Sequence, residues 1–189
     1  MSQIEEAQAA IEREDYDAAI QLLRPFADSG FAEAQYLLGS LYFTSAEVDP
    51  RESHDWLRRA ATQNHPTATY DLARWQDDTV FPPPTEDYYR FMLLRAAELG
   101  SVDAWSMLGR SYATGDGGFP RDAAIARQWY LRAAERGDAY AQYNYGAMLY
   151  DGEGGSTDPK ASLNWIRKAA AGGESSAIHF LSQLPNEVA

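Results

Sequence analysis

A six-residue block recurs along this chain at a nearly constant interval, and that interval limits the fold more than any other feature. It reads Ala34-Gln35-Tyr36-Leu37-Leu38-Gly39, and returns as Ala68–Ala73, Ala104–Gly109 and Ala141–Gly146, with a degenerate copy at Ala177–Ser182. The leading alanines are 34, 36, 37 and 36 residues apart. A second block follows each of the first four: Trp56–Ala61, Met92–Ala97, Trp129–Ala134 and Trp165–Ala170, with a weaker version upstream at Leu22–Ala27. A period of this length is the signature of a stack of supersecondary units.

Both blocks read as helices. Ala34, Leu38, Leu41 and Tyr42 fall at i, i+4, i+7 and i+8, one apolar face. Each second block stops at Gly30, Asn64, Gly100, Gly137 or Gly173, the two residue types that tolerate a left-handed cap. Asp122, Asp158 and Glu86 stand where second helices start, as N-caps or first-turn acids. The expectation is about eleven helices in antiparallel pairs, each pair burying the face its neighbour leaves open. Glu5, Glu6, Glu12, Glu14 and Asp15 would keep the first helix soluble on its open side, and Pro185 would stop the last.

Composition narrows the function. The 189 residues carry a net charge of −12 and no cysteine, so disulfides, thiolate chemistry and Cys-ligated metal are excluded. An acidic surface repels phosphate, so neither nucleic acid nor membrane is expected as a partner, and a basic protein is. No basic stretch and apolar run open the chain, and no apolar run approaches the roughly 20 residues of a membrane helix. A cytoplasmic protein is expected, a monomer or weak dimer.

The pattern also resembles a known family. Trp105, Leu108, Gly109 and Tyr112 match the W-x2-L-G-x2-Y opening of a tetratricopeptide repeat. The period, the Gly-rich loops Gly115–Asp122 and Gly152–Asp158, and the closing Ala-Ala-x-x-Gly are more similar to the Sel-one-like subclass. The repeat at Ala68 departs from it, with Ala73 in the glycine position. The resemblance implies an all-α, right-handed α/α solenoid forming a single domain. Its divisions would be a capping pair at 1–31, repeats at about 32–65, 66–101, 102–138 and 139–174, and a capping helix at 175–189.

Nothing in the chain spells out catalysis. The Gly-rich loops lack the order G-x-x-x-x-G-K-[ST], and Asp151, Glu153 and Asp158 lack the calcium-loop order. His54, His65 and His179 lie on different repeats, with His54 read as a solvated helix position. No enzyme, cofactor or metal is expected. Trp56, Trp129, Trp165, Tyr42 and Tyr112 share repeat positions and read as core.

On the tetratricopeptide analogy the first helices line a concave surface. Its outward positions would be Tyr36, Ser40 and Phe43; Tyr70, Arg74 and Asp77; Ser106 and Arg110; Tyr143 and Tyr150; and His179, with Tyr140 facing the same groove. Asp78 and Asp103 would rim it. The segment Phe81-Pro82-Pro83-Pro84 reads either as a loop a partner contacts through Phe81 or as a rigid spacer before the next helix. Together these point to a non-enzymatic protein-binding scaffold. An immunity or antitoxin-type protein neutralising a basic toxin or effector is the first expectation, an adaptor or regulator of a larger assembly the second.

Overall fold

The computed structural model describes residues 3–44, 50–75 and 85–184, with the side chains at 43, 44 and 50 outside that description. Its described residues form eleven helices and no strand. They fall into two compact units, Met1–Leu99 and Gly100–Ala189. The all-α helical-repeat class expected from the period is what the chain adopts.

The first unit runs α1 (Gln3–Glu12), α2 (Tyr16–Asp28), α3 (Ala32–Thr44), α4 (Pro50–Thr62), α5 (Pro66–Arg74) and α6 (Glu86–Glu98), each packed on the next. Its core is a column of alanines around Leu23, Leu38 and Leu57. Ala34, Leu38, Leu41 and Tyr42 are all buried, as their spacing requires. Glu5, Glu6, Glu12 and Glu14 are exposed, and Asp15 caps α2 by accepting from the Ala18 amide. The segment 76–84 and Pro185 lie outside the described residues.

The second unit runs α7 (Val102–Thr114), α8 (Ala123–Glu135), α9 (Ala139–Asp151), α10 (Pro159–Ala171) and α11 (Ser175–Ser182). Successive helices pack in order, and α7 also touches α9. The last residue of the first block sets how closely a pair can pack. A Cβ on Gly109 would sit 2.6 Å from Cδ1 of Tyr130, so glycine lets the Tyr130 ring lie on the α7 backbone.

The five expected stops are all left-handed, including Asn64 at φ 63° and Gly137 at φ 93°. Asp122 and Asp158 are N-caps of α8 and α10. At α6 the cap is Thr85, and Glu86 begins the first turn. The two Gly-rich loops fold back onto their own helices: the amide of Asp122 donates to the Tyr112 carbonyl and that of Asp158 to Leu149, 2.8 and 2.9 Å. Both carbonyls sit three residues past the repeat glycine.

Candidate functional site

In the first unit, one of the expected groove residues, Tyr36, serves the seam between repeats. The Tyr36 ring stacks on the His65 ring, with centroids 4.5 Å apart and planes 22° apart. His65 is the N-cap of α5, its Nδ1 accepting from the Ala68 amide at 3.2 Å. Its Nε2 lies 3.0 Å from Glu33 Oε2. Since Nδ1 accepts, Nε2 carries the proton and donates to Glu33. Below this pair, Gln63 donates to Gln35, and Gln35 donates to the Ala27 carbonyl.

Tyr70 was expected to face outward, and it does not: it is 6% exposed. Arg74 donates to its hydroxyl at 3.2 Å and covers the ring. Arg74 itself is exposed and Ser40 is half-buried. The Phe43 side chain, Asp77, Asp78 and Phe81 lie outside the described residues.

The second unit repeats the pattern with other chemistry. Ser106, also expected outward, is 8% exposed and donates to Asp138 Oδ1 at 3.0 Å. The same oxygen accepts from the Ala141 amide, so Asp138 caps α9 while bracing α7. Tyr143 is half-buried against the cluster of Ile166, Ala169 and Ala177. Tyr36, Tyr70, Ser106 and Tyr143 occupy one repeat position. In at least three of the four, that position holds the next repeat in place.

What stays open in the second unit is a smaller set: Asp103, Arg110, Tyr140, Tyr150 and His179, all exposed. Tyr140 is 42% exposed and meets the Tyr130 ring edge-on at 6.1 Å. Burial pushes the Tyr130 phenol far above its ordinary range, helped by Tyr140, while the Arg110 charge pulls it back. Tyr150 is 48% exposed, its ring held edge-on by Phe180 at 5.7 Å. His179 lies 3.0 Å from the Gln183 amide nitrogen. These are pre-positioned aromatic and cationic groups, an arrangement suited to contact with a partner.

Two other expectations need correction. His54 is not a solvated position: it is half-buried, its ring edge-on to Trp75 at 5.3 Å, and burial lowers its pKa. Trp129 is only half-buried. Trp56 is core, and Tyr112 and Trp165 pack on the buried cluster of the second unit, Tyr112 tilted against Phe119. Each of the three indoles carries a cation three residues on, with Arg59 at 4.5 Å, Arg132 at 4.8 Å and Lys168 at 4.1 Å from the ring centroid. That pairing was legible as W-x-x-[RK] at three helical positions. Tyr130 and the capping His65 had weaker signals: the one polar residue at its core position, and a histidine before proline at a repeat start.

A protein-family model described as Sel1 repeat matches residues 7–31, 32–65, 103–138 and 139–174. It passes over the Ala68 repeat, the copy with the altered block. Among solved structures, the chain is similar to a Sel1 repeat protein from Oxalobacter formigenes. The identity is 29% and the TM-score 0.79, over 89% of this chain and 49% of that one. It is also similar to immunity protein PA5088 from Pseudomonas aeruginosa. There the identity is 22% and the TM-score 0.61, over 92% of this chain and 65% of that one. Among curated proteins, it is 29% identical over 157 residues to chitin synthase regulatory factor 3 of Schizosaccharomyces pombe. That stretch is 81% of this chain and only 13% of the yeast protein.

Proposed function

The chain belongs to the Sel1 repeat family of protein-interaction scaffolds, and from that premise we propose that it is a non-enzymatic, cytoplasmic immunity or antitoxin-type protein that binds and neutralises a basic toxin or effector. The binding surface is the exposed first-helix faces, foremost Arg110, Tyr140 and Tyr150. The observation that carries this reading is the coincidence of a net charge of −12 with half-exposed tyrosines whose rings are already fixed. Opposite charge speeds and selects the encounter, and rigid aromatic anchors supply contact area at little entropic cost. The likeness to the immunity protein supports the fold alone, so the charge and the tyrosines bear the argument.

The test is capture from the source organism's lysate, paired with a growth assay. A single stoichiometric basic protein should be retained, and be lost with Tyr140→Ala/Tyr150→Ala. Co-expression should relieve that partner's toxicity with the native chain and fail with the variant. Full retention by the variant, or a partner that is harmless when expressed alone, would end the immunity reading.

A second reading, an adaptor or regulator within a larger assembly, is favoured by the likeness to the chitin synthase regulatory factor. It calls for several partners held at micromolar rather than nanomolar strength.

A further inference from the structure

One side of α9 is built as a ledge. Ala141, Gln142, Gly146, Met148 and Leu149 are buried, and the opposite side presents Tyr140, Tyr143, Ala147 and Tyr150. Tyr140 and Tyr150 are ten residues apart, about 15 Å along a helix rising 1.5 Å per residue. Both rings are fixed from outside the ledge, Tyr140 by Tyr130 and Tyr150 by Phe180. Between them the floor is low, formed by Ala147 and the half-buried Tyr143.

The two ends of the ledge differ in charge. At the Tyr140 end stands Arg110, exposed on α7 and next in the chain to Gly109, whose backbone carries the Tyr130 ring that meets Tyr140. Among the described residues it forms no ion pair. At the other end is Asp151, exposed, the last residue of α9 and its one charged side chain. A carboxylate there opposes the helix dipole and finds no cation among the described residues. A phenol at each end offers hydroxyls to backbone groups, which an extended chain leaves open and a helix has already paired.

We propose that this ledge takes an extended segment of a protein partner about five residues long, with a carboxylate at the Arg110 end and a basic side chain at the Asp151 end. The length follows from about 3.3 Å per extended residue across about 15 Å. The proposal rests on the protein-binding reading above and adds the chemistry and register of what binds.

The test is an NMR titration of the isotope-labelled full chain with short synthetic peptides. Glu-Pro-Pro-Pro-Pro-Arg holds its charges about 15 Å apart, since polyproline rises 3.1 Å per residue. It should shift the amides of α9 and those around Arg110. A peptide with two prolines fewer should bind at least tenfold more weakly, as should the full-length peptide with Arg110→Glu or Asp151→Lys. Arg110→Glu should in turn bind the peptide with arginine at both ends better than the native chain does. All the substituted side chains are exposed, so the amide spectrum should report an unchanged fold.

Equal binding of long and short peptides, or no gain in the charge-swapped pairing, overturns the register. No peptide binding at all, together with loss of the captured partner by Tyr140→Ala/Tyr150→Ala, overturns this proposal and leaves the wider reading standing. Capture unaffected by those substitutions overturns both. Self-association of the native chain that Tyr140→Ala abolishes would make the occupant a second copy, and would also overturn it.

Discussion

Burial works against charge at His54. The imidazole is half-buried against Trp75, and desolvation, partly offset by Asp55, holds its folded pKa below the ordinary 6.5. The unfolded chain therefore takes up this proton first as pH falls. Above the unfolded value the full contribution to stability is present, and it is lost as pH drops towards the folded value. The urea midpoint should fall between pH 7.5 and 5.0, and the fall should be shallower in His54→Gln, which removes this ring's share and leaves every other titrating group in place. Parallel profiles for the two proteins would show that the ring is solvated after all. The misreading of His54 has the same origin as that of Ser106. Period and spacing locate a residue on its own helix. They do not say which neighbouring helix covers that side. A position about 200° around from the buried alanine looks outward in one repeat considered alone, and is closed by the next repeat in the stack. Tyr36, Ser106 and Tyr143 are used in that way, through a stacked histidine, a capping aspartate and an apolar cluster. Other expected site residues stay exposed, Arg110, Tyr140 and Tyr150 among them, although Tyr130 and Phe180 of the neighbouring repeats touch the two tyrosine rings.

Among elements, helix ends were the most legible feature, because they depend on local chemistry alone. Glycine and asparagine enter the left-handed region at least cost, and an open amide needs an acceptor, whatever packs nearby. The core was legible for the same reason in part: Leu41, Trp75, Ser111 and Met148, two residues past the repeat glycine position, are all buried although their chemistry differs. Less legible was the double duty of some caps. Asp122 only caps α8, with Oδ1 accepting from the amides of Ala124 and Ile125. Asp138 caps α9 and also receives the Ser106 hydroxyl from α7. Loss of a cap costs about 1 kcal/mol, and a buried hydroxyl left without its acceptor adds about 1 kcal/mol or more. Asp138→Ala should therefore destabilise the chain by about 2 kcal/mol in urea denaturation, against about 1 kcal/mol for Asp122→Ala. In a Ser106→Ala background the excess should vanish, leaving the two aspartates alike. If the excess persists there, the link between repeats is not made by this hydrogen bond.

For the whole molecule, the formal charge of −12 hides an uneven distribution. Helix α1 carries Glu5, Glu6 and Glu12 with no base, whereas α10 carries Lys160, Arg167 and Lys168 with no acid. Several cations are already engaged, Arg59, Arg132 and Lys168 over indoles and Arg121 with Glu153. The acids of α1 are exposed. At a distance a basic partner thus meets a negative molecule, while at contact it meets tyrosines and few charges. These two ranges respond differently to salt. The screening length is about 10 Å at 0.1 M salt and about 3 Å at 1 M, so long-range attraction fades while contacts within a desolvated interface persist. With the partner in hand, association measured by stopped flow should slow by on the order of tenfold between low and high salt, with dissociation changing far less. Replacing Glu5, Glu6 and Glu12 by glutamine should lower the low-salt association rate and bring it closer to the high-salt value. Tyr140→Ala should act in the opposite way, speeding dissociation and leaving the salt slope of association intact. An association rate indifferent to salt would mean that the acidity serves solubility and not encounter, and the preference for a basic partner would lose its physical ground.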